Sequence, residues 1–131
     1  MKRDYTIACV IVGIGTDVVD VARFRETIAR QGRKFLEKVF TAGERRYCEG
    51  KATRVEHYAA RFAAKEAVLK AIGTGLTKGM RWRDVDVVRA SSGRVSVKLS
   101  GVVARMARRA TLHLSISHAG GMAIAVAVGE R

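Results

Sequence analysis

Asp17, Glu66 and Lys70 are the residues of this 131-residue chain best suited to chemistry. Glu66 and Lys70 are spaced i, i+4 in a stretch with helical composition, so they share one face of a helix. The ordinary reading of such a pair is a surface ion pair worth a few tenths of a kcal/mol. Here the same side of the helix also carries Phe62 and Leu69. A charge buried among apolar groups is costly unless a metal, a ligand or a partner compensates it. Asp17 follows Gly13-Ile14-Gly15-Thr16 at the end of an apolar run; its ordinary role there is a turn or cap residue. Two carboxylates beside a lysine suit Mg²⁺ and a phosphate, because Mg²⁺ takes few carboxylates, keeps waters and accepts phosphate oxygens. His118 closes Ser115-Ile116-Ser117-His118. A histidine at a strand end is ordinarily structural, but its pKa suits acid/base work or a phosphate contact.

The elements that position these groups follow from periodicity. The stretch from Val55 to Ile72 is rich in Ala, Leu, Lys and Glu and is closed by Gly73 and Gly75, which predicts a long helix. Ala60, Ala64, Ala67, Val68 and Ala71 fall on one broad face, and the helix is apolar nearly all round, as a central buried element is. Ile7 to Gly15 predicts a strand buried on both faces. Asp20 is placed to cap a helix from Val21 to about Ala29. Thr41-Ala42-Gly43-Glu44 has capping-box spacing and starts a short helix through Cys48. The apolar cluster Phe35 to Phe40 before it also reads as helical. After Gly79 the period changes. Val85 to Val88 and Val95 to Leu99 alternate around Ser91-Ser92-Gly93, a hairpin signal. Val102 to Arg109 predicts a short amphipathic helix, and Thr111 to Ser117 and Met122 to Val128 predict two more strands. Helices early and strands late predict an α+β fold, with a mainly antiparallel sheet packed on the long central helix.

Composition bounds the rest. The length suits one domain, residues 1–131, with no linker or repeat. The formal charge of +13 calls for an acidic partner. Cys9 and Cys48 are far apart and outside any metal-type spacing; Cys9 reads as a small core residue and both as reduced thiols in a cytoplasmic protein. Met1-Lys2-Arg3 and the apolar run after it lack a small-residue cleavage site, and no stretch is long enough to cross a membrane.

Three fragments in order resemble one family. Gly13-Ile14-Gly15-Thr16-Asp17, then Arg61-Phe62-Ala63-Ala64-Lys65-Glu66-Ala67 with Lys70-Ala71 and Gly73-Thr74-Gly75, then Ser115-Ile116-Ser117-His118, are similar to the small bacterial branch of the 4′-phosphopantetheinyl transferases, the holo-acyl-carrier-protein synthases. The resemblance runs from Ile11 to Val128 and leaves residues 1–10 as an N-terminal extension or a misplaced start.

What the resemblance implies is specific. The phosphopantetheine arm of coenzyme A would move to a serine of an apo acyl carrier protein, releasing 3′,5′-ADP, in fatty acid biosynthesis. Asp17 and Glu66 would bind Mg²⁺, and Lys70 would hold the diphosphate. Arg61 and Lys65 would serve the nucleotide, with Gly73 and His118 also lining coenzyme A. The catalytic set would be Asp17, Glu66, Lys70 and His118. The acceptor of the serine proton stays open between Glu66 and a water on the metal. Arg23, assisted by Arg25, would meet the acidic carrier protein. The chain would assemble as a homotrimer with the coenzyme A cleft between subunits, and would use neither nucleic acid nor membrane.

Two other classes account for the charge alone. A Mg²⁺-dependent nuclease commonly places its Glu and Lys two apart on a strand, whereas Glu66 and Lys70 have helical spacing. A nucleic-acid-binding domain explains the basic surface but not the buried glutamate, and aromatics are too sparse for a stacking platform.

Overall fold

A computed structural model describes residues 9–131. Its elements run β1 (Ile11–Asp20), α1 (Val21–Val39), α2 (Ala42–Glu49), α3 (Arg54–Ile72), a 3₁₀ turn (Trp82–Asp84), β2 (Val85–Arg89), β3 (Val95–Leu99), α4 (Gly101–Met106), β4 (Thr111–Ala119) and β5 (Met122–Glu130). The fold is α+β, as the sequence predicts. The strands form two antiparallel sheets: a three-stranded one in the order β1-β5-β4, and the hairpin β2-β3.

α3 is the centre of the molecule. Ala63, Ala64, Ala67 and Ala71 of α3 pack against Ala125 and Ala127 of β5 in one core cluster. Alanine on both surfaces lets the helix lie close to the sheet. The second cluster gathers Phe24, Phe40 and Tyr58 with Val21, Ile28 and Leu36, so that α1 and α2 cover the other part of α3. Its aromatic rings meet at tilted and edge geometries, Phe40–Tyr58 at 4.8 Å and Phe24–Phe40 at 6.4 Å between centroids.

The predicted caps form. Asp20 accepts from the Arg23 N–H at 3.1 Å. Thr41 and Glu44 make both bonds of the capping box. Gly73 ends α3 at φ 94°, a left-handed conformation that glycine adopts without strain.

Several expectations change. β1 does not end at the glycines but runs on to Asp20, and only one of its faces is covered. Ile14 is 64% and Val18 57% exposed, because among the described residues no layer packs on the outer face of β1 and β5. The expected strand start at Ile7 and most of the expected extension lie outside the described residues. Val10 exchanges two backbone hydrogen bonds with Arg131, so it belongs to the sheet. α1 joins the two expected helical stretches across a kink at Gly32, whose φ is 70°. The buried cysteine is Cys48, its thiol pushed up to about 12 chiefly by burial; Cys9 is exposed. Among the described residues no helix is long and apolar enough to cross a membrane.

Candidate active site

The site starts with two glycines. A methyl group on Gly13 would sit 1.8 Å from the Ala71 carbonyl oxygen, and one on Gly15 1.9 Å from that of Ala67. Only glycine lets the β1 backbone touch the α3 backbone in this way. Gly13, Gly15 and Asp17 alternate along β1 and therefore point to the same face. The contact that brings the strand onto the helix thus also aims Asp17 at α3.

Glu66 answers from the helix. Asp17 and Glu66 line one open cleft together with Asp20, Arg23, Phe24, Thr27 and Phe62. Lys70, one turn after Glu66, donates to the Thr16 carbonyl at 2.9 Å and lies 3.3 Å from the Asp17 carboxylate. Burial first, and then the Asp17 charge, push the Glu66 carboxyl above its ordinary range, while Lys70 pulls it back. The predicted trio is therefore assembled, from a strand and a helix about fifty residues apart in the chain.

The donor set fits a magnesium ion. Two carboxylates from different elements repel each other across an open cleft, which leaves room for waters and phosphate oxygens. Among the described residues no three His, Cys, Asp or Glu side chains gather at one point, so the set is a pair and not an all-protein cage.

The other predicted residues lie elsewhere. Lys65, expected at the nucleotide, is fully buried and bonded to Glu44 at 2.8 Å, to the Trp82 carbonyl at 3.2 Å and to the Val85 carbonyl. No donor is left for a ligand, so that assignment is withdrawn. Arg61 is 2% exposed and stacks over the Tyr47 ring at 4.0 Å, about 140° round the helix from Glu66. Its Nε is buried and has no hydrogen-bond partner. His118 is exposed at the end of β4, with Nε2 3.5 Å from the Glu56 carbonyl. Glu56 and Glu66 are about 15 Å apart along α3 at ~1.5 Å per residue. Within one copy, Arg61 and His118 are thus outside the Asp17–Glu66 cleft. Gly73 follows Lys70 on the exposed end of α3. Arg23 lies at the cleft, but Arg25 lines a separate groove with Ile28, Ala29 and Arg54, because two helical residues are about 200° apart. Arg25 therefore does not assist Arg23 at this cleft. The sequence reading missed the Thr16 carbonyl that anchors Lys70, and it found Glu44 as a capping-box residue but not as the partner of Lys65.

A family model for the 4′-phosphopantetheinyl transferase superfamily matches residues 13–127, which include every residue that lines this cleft. The chain belongs to that superfamily. Among relatives of this transferase, the holo-acyl-carrier-protein synthase of Koribacter versatilis is 46% identical over 125 residues, covering 92% of this chain and 98% of the relative. The crystal structure of the Neisseria meningitidis holo-acyl-carrier-protein synthase superposes with a TM-score of 0.85 at 27% identity, over 93% of this chain and 100% of that one. The Bacillus anthracis holo-acyl-carrier-protein synthase, solved in complex with CoA (3′,5′-ADP), gives 0.78 at 35% identity, over 94% of this chain and 98% of that one. Both superpositions extend over nearly the whole transferase chain, so its α+β architecture is theirs.

Proposed function

We propose that this chain moves the 4′-phosphopantetheine arm of coenzyme A onto a serine of an apo acyl carrier protein, in the cytoplasm and for fatty acid biosynthesis. The observation that carries the reading is the cleft in which Asp17 and Glu66 meet beside Lys70. Relatives named for this activity, one of them solved with coenzyme A, support it over the nuclease and nucleic-acid-binding readings.

In this reaction the serine hydroxyl gives up its proton to a base, its oxygen bonds to the β-phosphorus, the bond from that phosphorus to the bridging oxygen breaks, and 3′,5′-ADP leaves with that bond's electrons on its phosphate oxygen. Bound between Asp17 and Glu66, Mg²⁺ would neutralise charge on the diphosphate in the transition state. Lys70 is pre-positioned by the Thr16 carbonyl and Asp17 to present its ammonium to the same phosphates. Phe24 and Phe62 form an apolar wall on one side of the cleft. Arg23, exposed at the rim in the first turn of α1, faces the approach of an acidic protein. The charge of +13 adds long-range attraction for it.

The test combines activity with Arg23. 3′,5′-ADP is expected to accumulate only when apo carrier protein, coenzyme A and Mg²⁺ are all present. Arg23→Glu is expected to raise KM for the carrier at least tenfold, about 1.4 kcal/mol, with KM for coenzyme A nearly unchanged. Added salt should weaken carrier association of the wild type more than that of the variant. A rise in the coenzyme A KM alone would move Arg23 out of the docking surface and into the nucleotide site.

We further infer a homotrimer with shared sites. The open apolar face of β1 and β5, including Ile14, Val18 and Val126, supports assembly. So does the position of His118, exposed at the end of β4 and away from the Asp17–Glu66 cleft, since a second copy can bring its own histidine to it. Light scattering should give three times the 14.3 kDa chain mass. Co-refolding inactive Glu66→Gln with inactive His118→Ala should restore activity, because mixed trimers contain one intact composite site. A monomer mass, or no recovery in mixed assemblies, would defeat the shared-site reading.

A further inference from the structure

Lys65 and Glu44 form the most enclosed polar network among the described residues: both side chains are 0% exposed. The ammonium of Lys65 has three donors, and three acceptors meet them: Glu44 Oε1 and the carbonyls of Trp82 and Val85. Glu44 is equally engaged. Oε1 also accepts from the Thr41 N–H at 2.7 Å, and Oε2 accepts from the Val87 N–H at 2.8 Å. One ion pair thus ties α3 to the start of α2, to the 3₁₀ turn and to β2. Every end point except the pair itself is a backbone group, fixed by secondary structure.

Lys65 immediately precedes Glu66. On another side of α3, the carbonyls of Ala67 and Ala71 rest on Gly15 and Gly13 of β1. The helix is therefore held at position 65 from one sheet and at positions 67 and 71 from the other. Glu66 emerges between the two holds and points into the cleft. A helix gripped on one side only can roll about that contact. A roll of 20° would carry a side-chain tip about 5–6 Å from the axis through about 2 Å, several times the tolerance of about 0.5 Å within which a working site is held. Apolar packing in place of a buried ion pair is often as stabilising or more so. Five directional hydrogen bonds add a defined orientation, which apolar packing does not.

We propose that the Lys65–Glu44 pair is a positioning device that sets the roll of α3 and hence the distance of the Glu66 carboxylate from Asp17. The proposal rests on the reading of Asp17 and Glu66 as the metal pair, and its test separates the two. Mn²⁺, standing in for Mg²⁺, is titrated into the protein saturated with coenzyme A, and bound metal is counted by electron paramagnetic resonance. The double variant Glu44→Gln, Lys65→Met leaves no buried charge unpaired. It is expected to fold, to bind Mn²⁺ about tenfold more weakly and to lose about tenfold in kcat, the range for residues that orient metal ligands. KM for coenzyme A should stay within twofold. Val103→Ala, a cavity in the core away from the cleft, supplies a destabilised control that should keep wild-type Mn²⁺ affinity.

Lys65→Arg is the second variant. It keeps the charge but replaces a compact ammonium by a longer planar fork. It too should fold, and should weaken Mn²⁺ binding. Wild-type Mn²⁺ affinity in either folded variant overturns the positioning role and leaves the metal pair standing. A wild-type complex that binds no Mn²⁺ at millimolar concentration overturns the metal reading, and the positioning role with it.

Discussion

Glu66→Gln is expected to fold normally and to lose about a hundredfold to a thousandfold in turnover, the scale for removing one group that stabilises transition-state charge. Its stability should move the other way. The folded-state pKa of Glu66 is raised by burial and by Asp17. A glutamate with a raised folded-state pKa costs stability once both states are ionised, and costs nothing below its unfolded-chain value of about 4.3. The neutral glutamine should therefore raise Tm at pH 7, with the gain fading as pH falls toward 4. Thermal unfolding followed between pH 4 and 8 checks the sign. Near-normal turnover at low Mg²⁺, or a variant less stable than wild type at pH 7, would break the link between this carboxylate and the cleft.

Gly15→Ala is expected to have the largest effect on the fold itself. The new methyl would lie 1.9 Å from the Ala67 carbonyl oxygen and 2.7 Å from the Ala71 nitrogen. Both atoms belong to the backbone of a buried helix and cannot swing aside, so relief requires prising β1 from α3. The loss should be about 3 kcal/mol or more, at the upper end for overpacking, and should be visible as a large fall in Tm or in soluble yield. Gly43→Ala provides the contrast. Its methyl would meet only the Thr41 hydroxyl, at 4.0 Å, and inside α2 it should raise stability by about 0.5–1 kcal/mol. A Gly15→Ala protein with wild-type Tm would mean that the strand and helix are not in backbone contact.

The two glycines also explain part of what the sequence made legible and part of what it hid. Glu66 could be found because it sits on a clear helical period, and Asp17 because it is the carboxylate that follows the predicted first strand. The predicted first strand ended at Gly15. The chain instead continues as β1 through Thr16-Asp17-Val18-Val19 to Asp20. The open outer face of β1 was hidden because a run of Ile and Val looks the same whether its second face is covered by the same chain or left bare.

Lys65 was misjudged for a different reason. Its neighbours in sequence made it one more charge on the motif helix, while its acceptors come from Glu44, Trp82 and Val85, 17 to 21 residues away in the chain. No local pattern announces such a contact. Arg61 shows the same limit in reverse. Its type fits a phosphate and its Nε is unpartnered in the core, yet a single copy keeps it away from Glu66. Periodicity assigns a residue to a face of its own element; which other element, or which copy, meets that face is decided by packing.

The most direct measurement is the intact mass of an apo acyl carrier protein incubated with this protein, coenzyme A and Mg²⁺. The carrier is expected to become heavier by one phosphopantetheine arm on its acceptor serine, with no change in a carrier whose serine is replaced by alanine and at most a trace with Glu66→Gln. A carrier that stays apo, with a folded protein that binds coenzyme A and Mg²⁺, would contradict the proposed transfer.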